Sequence, residues 1–175
     1  QLGIRNNTLV IFLSDNGFSL GHHGFWGKGN GTFPANMYEN SIRVPAVMSH
    51  PDRIPQGIVQ SAMFSACDFM PTLLTYLDLP VPTDRNLSGT AMVPTWLGED
   101  TGAREHVVIC DEYGDTRMIR TNTWKYVHRF PSGPDELYDL VKDPDERTNL
   151  ASIYDYQGQL TILRRDLDAW FERYA

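Results

Sequence analysis

The sequence lacks the features that mark disulfide-rich, membrane-spanning and nucleic-acid-binding proteins. Cysteine occurs only twice, at Cys67 and Cys110, which excludes a disulfide-stapled scaffold. We expect both to be buried thiols, because free cysteine behaves as a small apolar residue; a single disulfide between them is the alternative. No apolar run approaches the roughly 20 residues of a membrane span. The 15 basic residues are outnumbered by 22 acidic ones, for a net charge of −7, which argues against a nucleic-acid partner.

The composition is that of a folded globular protein. The chain has 175 residues, of which 41% are hydrophobic and 21% charged. That length suffices for one domain, or for one domain with a small subdomain. The first residues are typical of a helix end and a turn, so we expect this chain to be a fragment of a longer protein.

The most informative segment runs from residue 9 to residue 30. The apolar run 9–13 predicts a buried strand of a parallel sheet. Ligands bind beyond the carboxyl ends of such strands, where Asp15 and Asn16 stand. A glycine-rich loop follows and carries His23 and Lys28. These side chains could form a site for a metal and an anion, although Asp, Asn and Gly after a strand are also typical of a simple turn.

The rest of the chain predicts mixed helices and strands. Apolar spacing indicates helices at 66–77 and 155–174 and a shorter one at 92–97, and a second buried strand at 44–49. Four short strand patterns separated by turn residues predict a small antiparallel sheet packed with the last helix. These four patterns cover residues 107–110, 118–121, 125–128 and 136–140.

Several other side chains have structural interpretations. Glu39 and Arg43 lie four residues apart, a spacing that allows them to pair on one helical face, and we interpret both as structural. The loop aromatics Phe25 and Trp26 are expected to pack, with lining of a substrate pocket as the alternative.

Four motifs in order resemble the C-terminal part of the sulfatase family, in the alkaline-phosphatase-like superfamily. They are the strand ending in SDNG, the loop GHHGFWGKGN, the segment YENSIRVP, and a late WKYVHRF followed by ELYDLVKDPDERTNLA. The resemblance implies an α/β fold. Residues 1–105 would be the C-terminal half of the catalytic domain, and residues 106–175 a small antiparallel-sheet subdomain with a terminal helix.

The resemblance also implies a role for each candidate site residue. Asp15 and Asn16 would bind a divalent cation, Ca²⁺ or Mg²⁺, through side-chain oxygens that suit such hard ions. Lys28 would bind the sulfate and stabilise the ester oxygen as its bond to sulfur breaks. His23 would be a second catalytic residue, matching a Gly-acidic-His-Gly motif in which this chain has His22 at the acidic position.

The nucleophile of the family is absent from this sequence. It is a formylglycine made within Cys/Ser-X-Pro-X-Arg, and neither Cys67 nor Cys110 lies in such a motif. We therefore expect the formylglycine in an absent N-terminal half, and a fragment that is inactive alone. The predicted function is part of a sulfuric ester hydrolase acting on a sulfated small molecule or sulfated glycan. The alternatives are a phosphoric or phosphonic ester hydrolase of the same superfamily and a non-catalytic binding or assembly module.

Two further expectations concern partners and compartment. A truncated sheet exposes an unpaired edge, so we expect self-association; a monomer in sedimentation at high concentration would contradict it. The habit of the family favours a periplasmic or extracellular location, whereas the residues themselves leave the compartment open.

Overall fold

The computed structural model describes residues 2–99, 104–111, 114–130 and 133–175. Its contacts divide the chain into two compact units. The first comprises Gln1–Asp15 with Pro45–Arg104, and the second Asn16–Val44 with Glu105–Ala175. The division into domains at residue 105 stays a prediction. No helix within the described ranges is long and apolar enough to cross a membrane.

The elements alternate between short strands and helices. The strands are β1 (Val10–Leu13), β2 (Ser19–Leu20), β3 (Trp26–Gly27), β4 (Ala46–Ser49), β5 (Val107–Cys110), β6 (Thr116–Arg120), β7 (Trp124–Arg129) and β8 (Glu136–Asp139). The helices are α1 (Glu39–Ile42), α2 (Ala66–Tyr76), α3 (Val93–Trp96) and α4 (Gln157–Tyr174).

The first unit contains a two-stranded antiparallel sheet of β1 and β4, with Val10 opposite Ser49. The prediction of a buried strand in a parallel sheet is therefore wrong for β1 in both respects. Phe12 and Val47 are exposed, because within the described residues these two strands pair only with each other. The expected self-association stays a prediction.

Helix α2 begins with a reciprocal cap. The Ser65 side chain accepts a hydrogen bond from the backbone of Cys67, while the Asp68 carboxylate accepts one from the Ser65 amide at 2.8 Å. Asp68 is fully buried and also pairs with Arg104 at 2.8 Å. The sequence places this helix correctly, and in the structure Ser65 is its N-cap while Asp68 completes the capping box.

The second unit is organised around a four-stranded antiparallel sheet in the order β5-β6-β7-β8. All four predicted strands are present. One face of the sheet carries Ile119, Tyr126 and Leu137, which pack against Leu163 and Leu167 of α4. This part of the fold confirms the predicted small sheet with its terminal helix.

The opposite face of the same sheet is covered by a segment from early in the chain. Side chains alternate between faces along a strand, so Met118 and Val127 point away from α4. Both pack with Met37, which precedes α1. The segment 36–42 is thereby fixed to the sheet, and it in turn supports the loop that carries the predicted site residues.

Both cysteines are thiols outside any disulfide, as expected, but neither is buried. Cys67 lies in the first turn of α2, and Cys110 is the last residue of the edge strand β5. Element ends of this kind leave side chains accessible, so the expected burial is wrong.

Candidate functional site

Three of the four predicted site residues lie in one segment of the second unit, Asn16–Val44. These are Asn16, His23 and Lys28. Asn16 is partly buried. The fourth, Asp15, is the last residue of the first unit and is exposed, with the Ser14 hydroxyl donating to its Oδ1 at 3.4 Å.

Gly17, directly after Asn16, lies against the backbone of α1. Its amide donates a hydrogen bond to the Ser41 carbonyl at 2.9 Å. A Cβ at this position would overlap the carbonyl oxygen of Asn40. The glycine of SDNG is therefore required by a close backbone approach rather than by a turn conformation.

A chain of buried and partly buried polar side chains holds the loop together. The Ser41 hydroxyl donates to Asn36 Oδ1 at 2.6 Å, and lies 3.3 Å from the Ser19 hydroxyl. The Asn36 amide donates to Thr32 Oγ1 at 2.9 Å, and Thr32 donates to the Gly29 carbonyl at 2.9 Å. Networks of this kind rigidify a structure when every member has a partner.

Lys28 follows β3 and is bracketed by two fixed glycines. Gly27 pairs with Ser19 in the β2–β3 hairpin, and the Gly29 carbonyl accepts the Asn36 amide at 3.0 Å. The Lys28 side chain is exposed, and among the described residues its ammonium has no hydrogen bond or ion pair. An unpaired cation on a fixed backbone is suited to binding an anion.

His23 lies at the tip of the same hairpin, with backbone in the left-handed region at φ 52°. Its imidazole stacks on the Tyr38 ring, with centroids 3.7 Å apart and planes 5° from parallel. Phe25 also contacts Tyr38, at 6.1 Å between centroids. Phe25 therefore packs as expected, whereas Trp26 is 73% exposed, contrary to expectation.

A buried ionic cluster anchors α1 to the sheet. Lys125 is fully buried, and its ammonium lies 2.8 Å from Glu39 Oε1, 2.6 Å from Glu146 Oε1 and 2.9 Å from the Met37 carbonyl. Arg120 Nε also contacts Glu39, at 3.0 Å. The predicted Glu39–Arg43 pair is thus replaced by pairing with residues of the sheet.

The pKa values of the two carboxylates in this cluster, Glu39 and Glu146, are shifted in opposite directions. Burial raises the pKa of Glu39, but the charges and hydrogen bonds of Lys125 and Arg120 outweigh burial, so its pKa lies below the ordinary value. Burial also raises the pKa of Glu146, and there Lys125 offsets it only in part, so the pKa stays above the ordinary value.

Comparison with known proteins identifies the fold. Residues 21–172 match the family model described as N-sulphoglucosamine sulphohydrolase, C-terminal. The chain belongs to this sulfatase family. Its fold is therefore α/β, the C-terminal part of an alkaline-phosphatase-like sulfatase, as the sequence motifs predict.

Relatives named as sulfatases align with most of this chain. Human arylsulfatase K is 34% identical across 86% of the chain, and N-acetylglucosamine-6-O-sulfatase of Bacteroides thetaiotaomicron is 28% identical across 99%. These alignments cover 29% and 32% of the two relatives. The sulfatase chain thus spans about a third of the length of the curated relatives that it matches.

Solved structures of similar proteins have the same fold over nearly the whole of this chain. One, in complex with its substrate D-glucosamine-2-N,6-O-disulfate, superposes with a TM-score of 0.84 at 28% identity, over 99% of this chain and 36% of that one. A phosphonate monoester hydrolase of Agrobacterium radiobacter superposes with a TM-score of 0.82 at 30% identity, over 99% and 37%.

The donor atoms for a cation in this sulfatase chain fit a hard divalent ion. Asp15 and Asn16 offer a carboxylate and an amide oxygen, which Ca²⁺ and Mg²⁺ prefer. Across the described ranges, no group of three or more His, Cys, Asp or Glu side chains is arranged to hold a metal ion. Since Ca²⁺ takes about six to eight oxygen ligands, two from this chain would be part of a larger set.

The surroundings of His23 predict that the folding stability of this sulfatase chain depends on pH. His23 is exposed as a residue, but partial burial of its imidazole and the neighbouring His22 lower its pKa below 6.5, with Lys125 adding to this and Asp143 and Asp145 opposing it. A folded-state pKa below the unfolded one gives stability that is present above pH 6.5 and lost as pH falls through the folded-state value.

We expect the His23 ring protons to titrate below pH 6.5 in NMR spectra. The loss of unfolding free energy between pH 7.5 and pH 5 should be smaller in His23→Asn, which tolerates the left-handed backbone but does not titrate. An equal loss in both proteins would contradict the assignment.

Proposed function

We propose that this domain contributes the cation ligands and the sulfate-binding lysine of a sulfuric ester hydrolase. The observation that carries the proposal is the exposed Lys28 ammonium, which pairs with no other residue that the structure describes and stands on a loop fixed by buried and partly buried polar contacts. Membership of the sulfatase family supports the same assignment. The activity is that of the whole protein, because this sequence contains no nucleophile motif.

Each residue has a defined task in this proposal. Asp15 and Asn16 bind a Ca²⁺ or Mg²⁺ ion, which when bound supplies positive charge to the sulfate oxygens. Lys28 contacts a sulfate oxygen and stabilises the negative charge on the ester oxygen as the S–O bond breaks.

Replacing Asp15 with Ala tests the cation site. We expect the whole protein to lose its bound calcium in Asp15→Ala, measured by atomic emission. A variant that retains its calcium would contradict the cation assignment.

The proposed substrate is a sulfated small molecule or a sulfated glycan. Support comes from the solved neighbour that holds D-glucosamine-2-N,6-O-disulfate as its substrate, and from relatives named as sulfatases. The phosphonate monoester hydrolase neighbour keeps hydrolysis of phosphonic esters as a second candidate. Comparing turnover of 4-nitrophenyl sulfate with that of 4-nitrophenyl phenylphosphonate distinguishes the two.

Replacing Lys28 with Met tests the lysine directly. We expect kcat/KM of the whole protein for 4-nitrophenyl sulfate to fall about 100-fold, the typical cost of removing one group that stabilises transition-state charge. Lys142→Met is the matched control, because Lys142 is a lysine on an exposed turn of the same unit. A Lys28→Met enzyme with more than half of the original kcat/KM would overturn the proposal.

A further inference from the structure

The His23–Tyr38 stack is closer and more nearly parallel than other aromatic contacts around it. The rings lie 3.7 Å apart at 5°, whereas Phe25 and Tyr138 approach Tyr38 at 6.1 and 6.0 Å with tilted planes. His23 holds this position although its backbone adopts a left-handed conformation, which costs a residue other than glycine free energy. Such a conformation persists only where the surroundings enforce it.

Side chains of the four-stranded sheet hold Tyr38 in place. A side-chain hydrogen bond joins it to Tyr138, whose hydroxyl donates to Glu136 Oε2 at 3.0 Å. Arg129 binds the same carboxylate at 2.5 Å, and its other nitrogen donates to the Ala35 carbonyl at 2.6 Å. The face of Tyr38 that receives His23 is therefore fixed by β7 and β8.

The segment that leads to Tyr38 also fixes the backbone next to Lys28. Asn36 lies two residues before Tyr38. Its backbone amide donates a hydrogen bond to the Gly29 carbonyl, and its side-chain amide donates one to Thr32. The hairpin that carries His23 at its tip pairs Gly27 with Ser19. Lys28 thus lies between a hairpin held at its tip by the stack and a glycine held by the segment leading to Tyr38.

We propose that His23 and Tyr38 form a clamp that positions Lys28, so that His23 acts as a positioning residue rather than as a proton donor. The inference rests on the proposed function of Lys28. A ring at position 23 is what the clamp needs, and the ability to exchange a proton is not. The pKa of the His23 imidazole lies below its ordinary value, which keeps the ring neutral at pH 7 and agrees with a positioning role.

Two matched pairs of variants test the clamp in the whole protein. Tyr38→Phe and His23→Phe keep a ring, whereas Tyr38→Leu and His23→Gln remove one. Misplacing a catalytic group by about 1 Å costs about 100-fold in rate. We therefore expect kcat/KM for 4-nitrophenyl sulfate to fall about 100-fold in both ring-removing variants, and His23→Phe and Tyr38→Phe to recover at least tenfold of that loss.

An NMR readout separates the clamp from general damage. A ring stacked at this distance shifts the His23 ring protons upfield; the shift should persist in Tyr38→Phe and in Lys28→Met and disappear in Tyr38→Leu. His23→Phe as inactive as His23→Gln would overturn the inference and assign proton chemistry to His23. Full activity in Tyr38→Leu would also overturn it. Unchanged activity in Lys28→Met, with the upfield shift intact, would instead refute the proposed function of the lysine.

Discussion

Replacing Lys125 with Met is expected to destabilise the second unit by about 3–5 kcal/mol, the usual cost of removing one partner from a buried ionic cluster. Lys125 is fully buried between Glu39 and Glu146. Methionine fills similar space but leaves Glu146 without its cation, and Glu146 has the higher pKa of the two carboxylates even with Lys125 present. Glu39 retains Arg120, so the cost falls mainly on Glu146.

Urea unfolding at pH 7, followed by circular dichroism, measures this effect. Lys142→Met removes an exposed ammonium, and its buried partner Asp139 keeps the backbone hydrogen bonds from Val141 and Lys142; it should change the free energy of unfolding by less than about 0.5 kcal/mol. Adding Glu146→Gln to Lys125→Met should recover part of the loss, because the buried charge is removed while an oxygen remains for the Glu39 amide, which donates to Glu146 Oε2 at 2.7 Å. A loss below 1 kcal/mol in Lys125→Met, or no recovery in the double variant, would show that the cluster is not a major contributor.

Local patterns predict most of the secondary structure of this chain. The strands β5–β8 show up as short β-branched and aromatic runs between turn residues, and α4 as an apolar stripe that includes Leu163 and Leu167. These elements form because each buries one face, so the residue pattern along each element contains the information. Their antiparallel order follows from the short connections between them.

Tertiary pairing is what the sequence does not reveal. Glu39 pairs with Lys125 and with Arg120, the latter 81 positions away, whereas helical spacing favours Arg43. β1 has the apolar run of a buried parallel strand, yet pairs antiparallel with β4 and exposes Phe12. Both outcomes depend on which segments meet in space, and a local pattern does not contain that information.

The candidate site shows the same division. Motifs point to Asp15, Asn16, His23 and Lys28, and their roles stay predictions. The residues that support them were missed, because Asn36, Ser41 and Tyr38 act through contacts that are spread over the loop. The one available signal was the YENS segment itself, since its tyrosine and serine are two of these supports.

Gly17→Ala is expected to cost about 3 kcal/mol or more, at or beyond the upper end of typical overpacking penalties. The added Cβ would overlap the carbonyl of Asn40, and the nearest atoms are all backbone of α1. A side chain could rotate away, but here α1 must move, and α1 is fixed by the Lys125 cluster and by the Ser41–Asn36 hydrogen bond. Relief therefore requires breaking one of these contacts.

Gly158→Ala provides the matched control for the same substitution in the same unit. Gly158 lies in the first turn of α4, and a Cβ there meets nothing within 4 Å. Alanine is favoured over glycine in a helix by up to about 1 kcal/mol, so this variant should be slightly stabilised in urea unfolding. If Gly17→Ala unfolds at the same urea concentration as the unsubstituted chain, the loop after Asn16 moves independently of α1. The buried network would then not be what holds Lys28 in place.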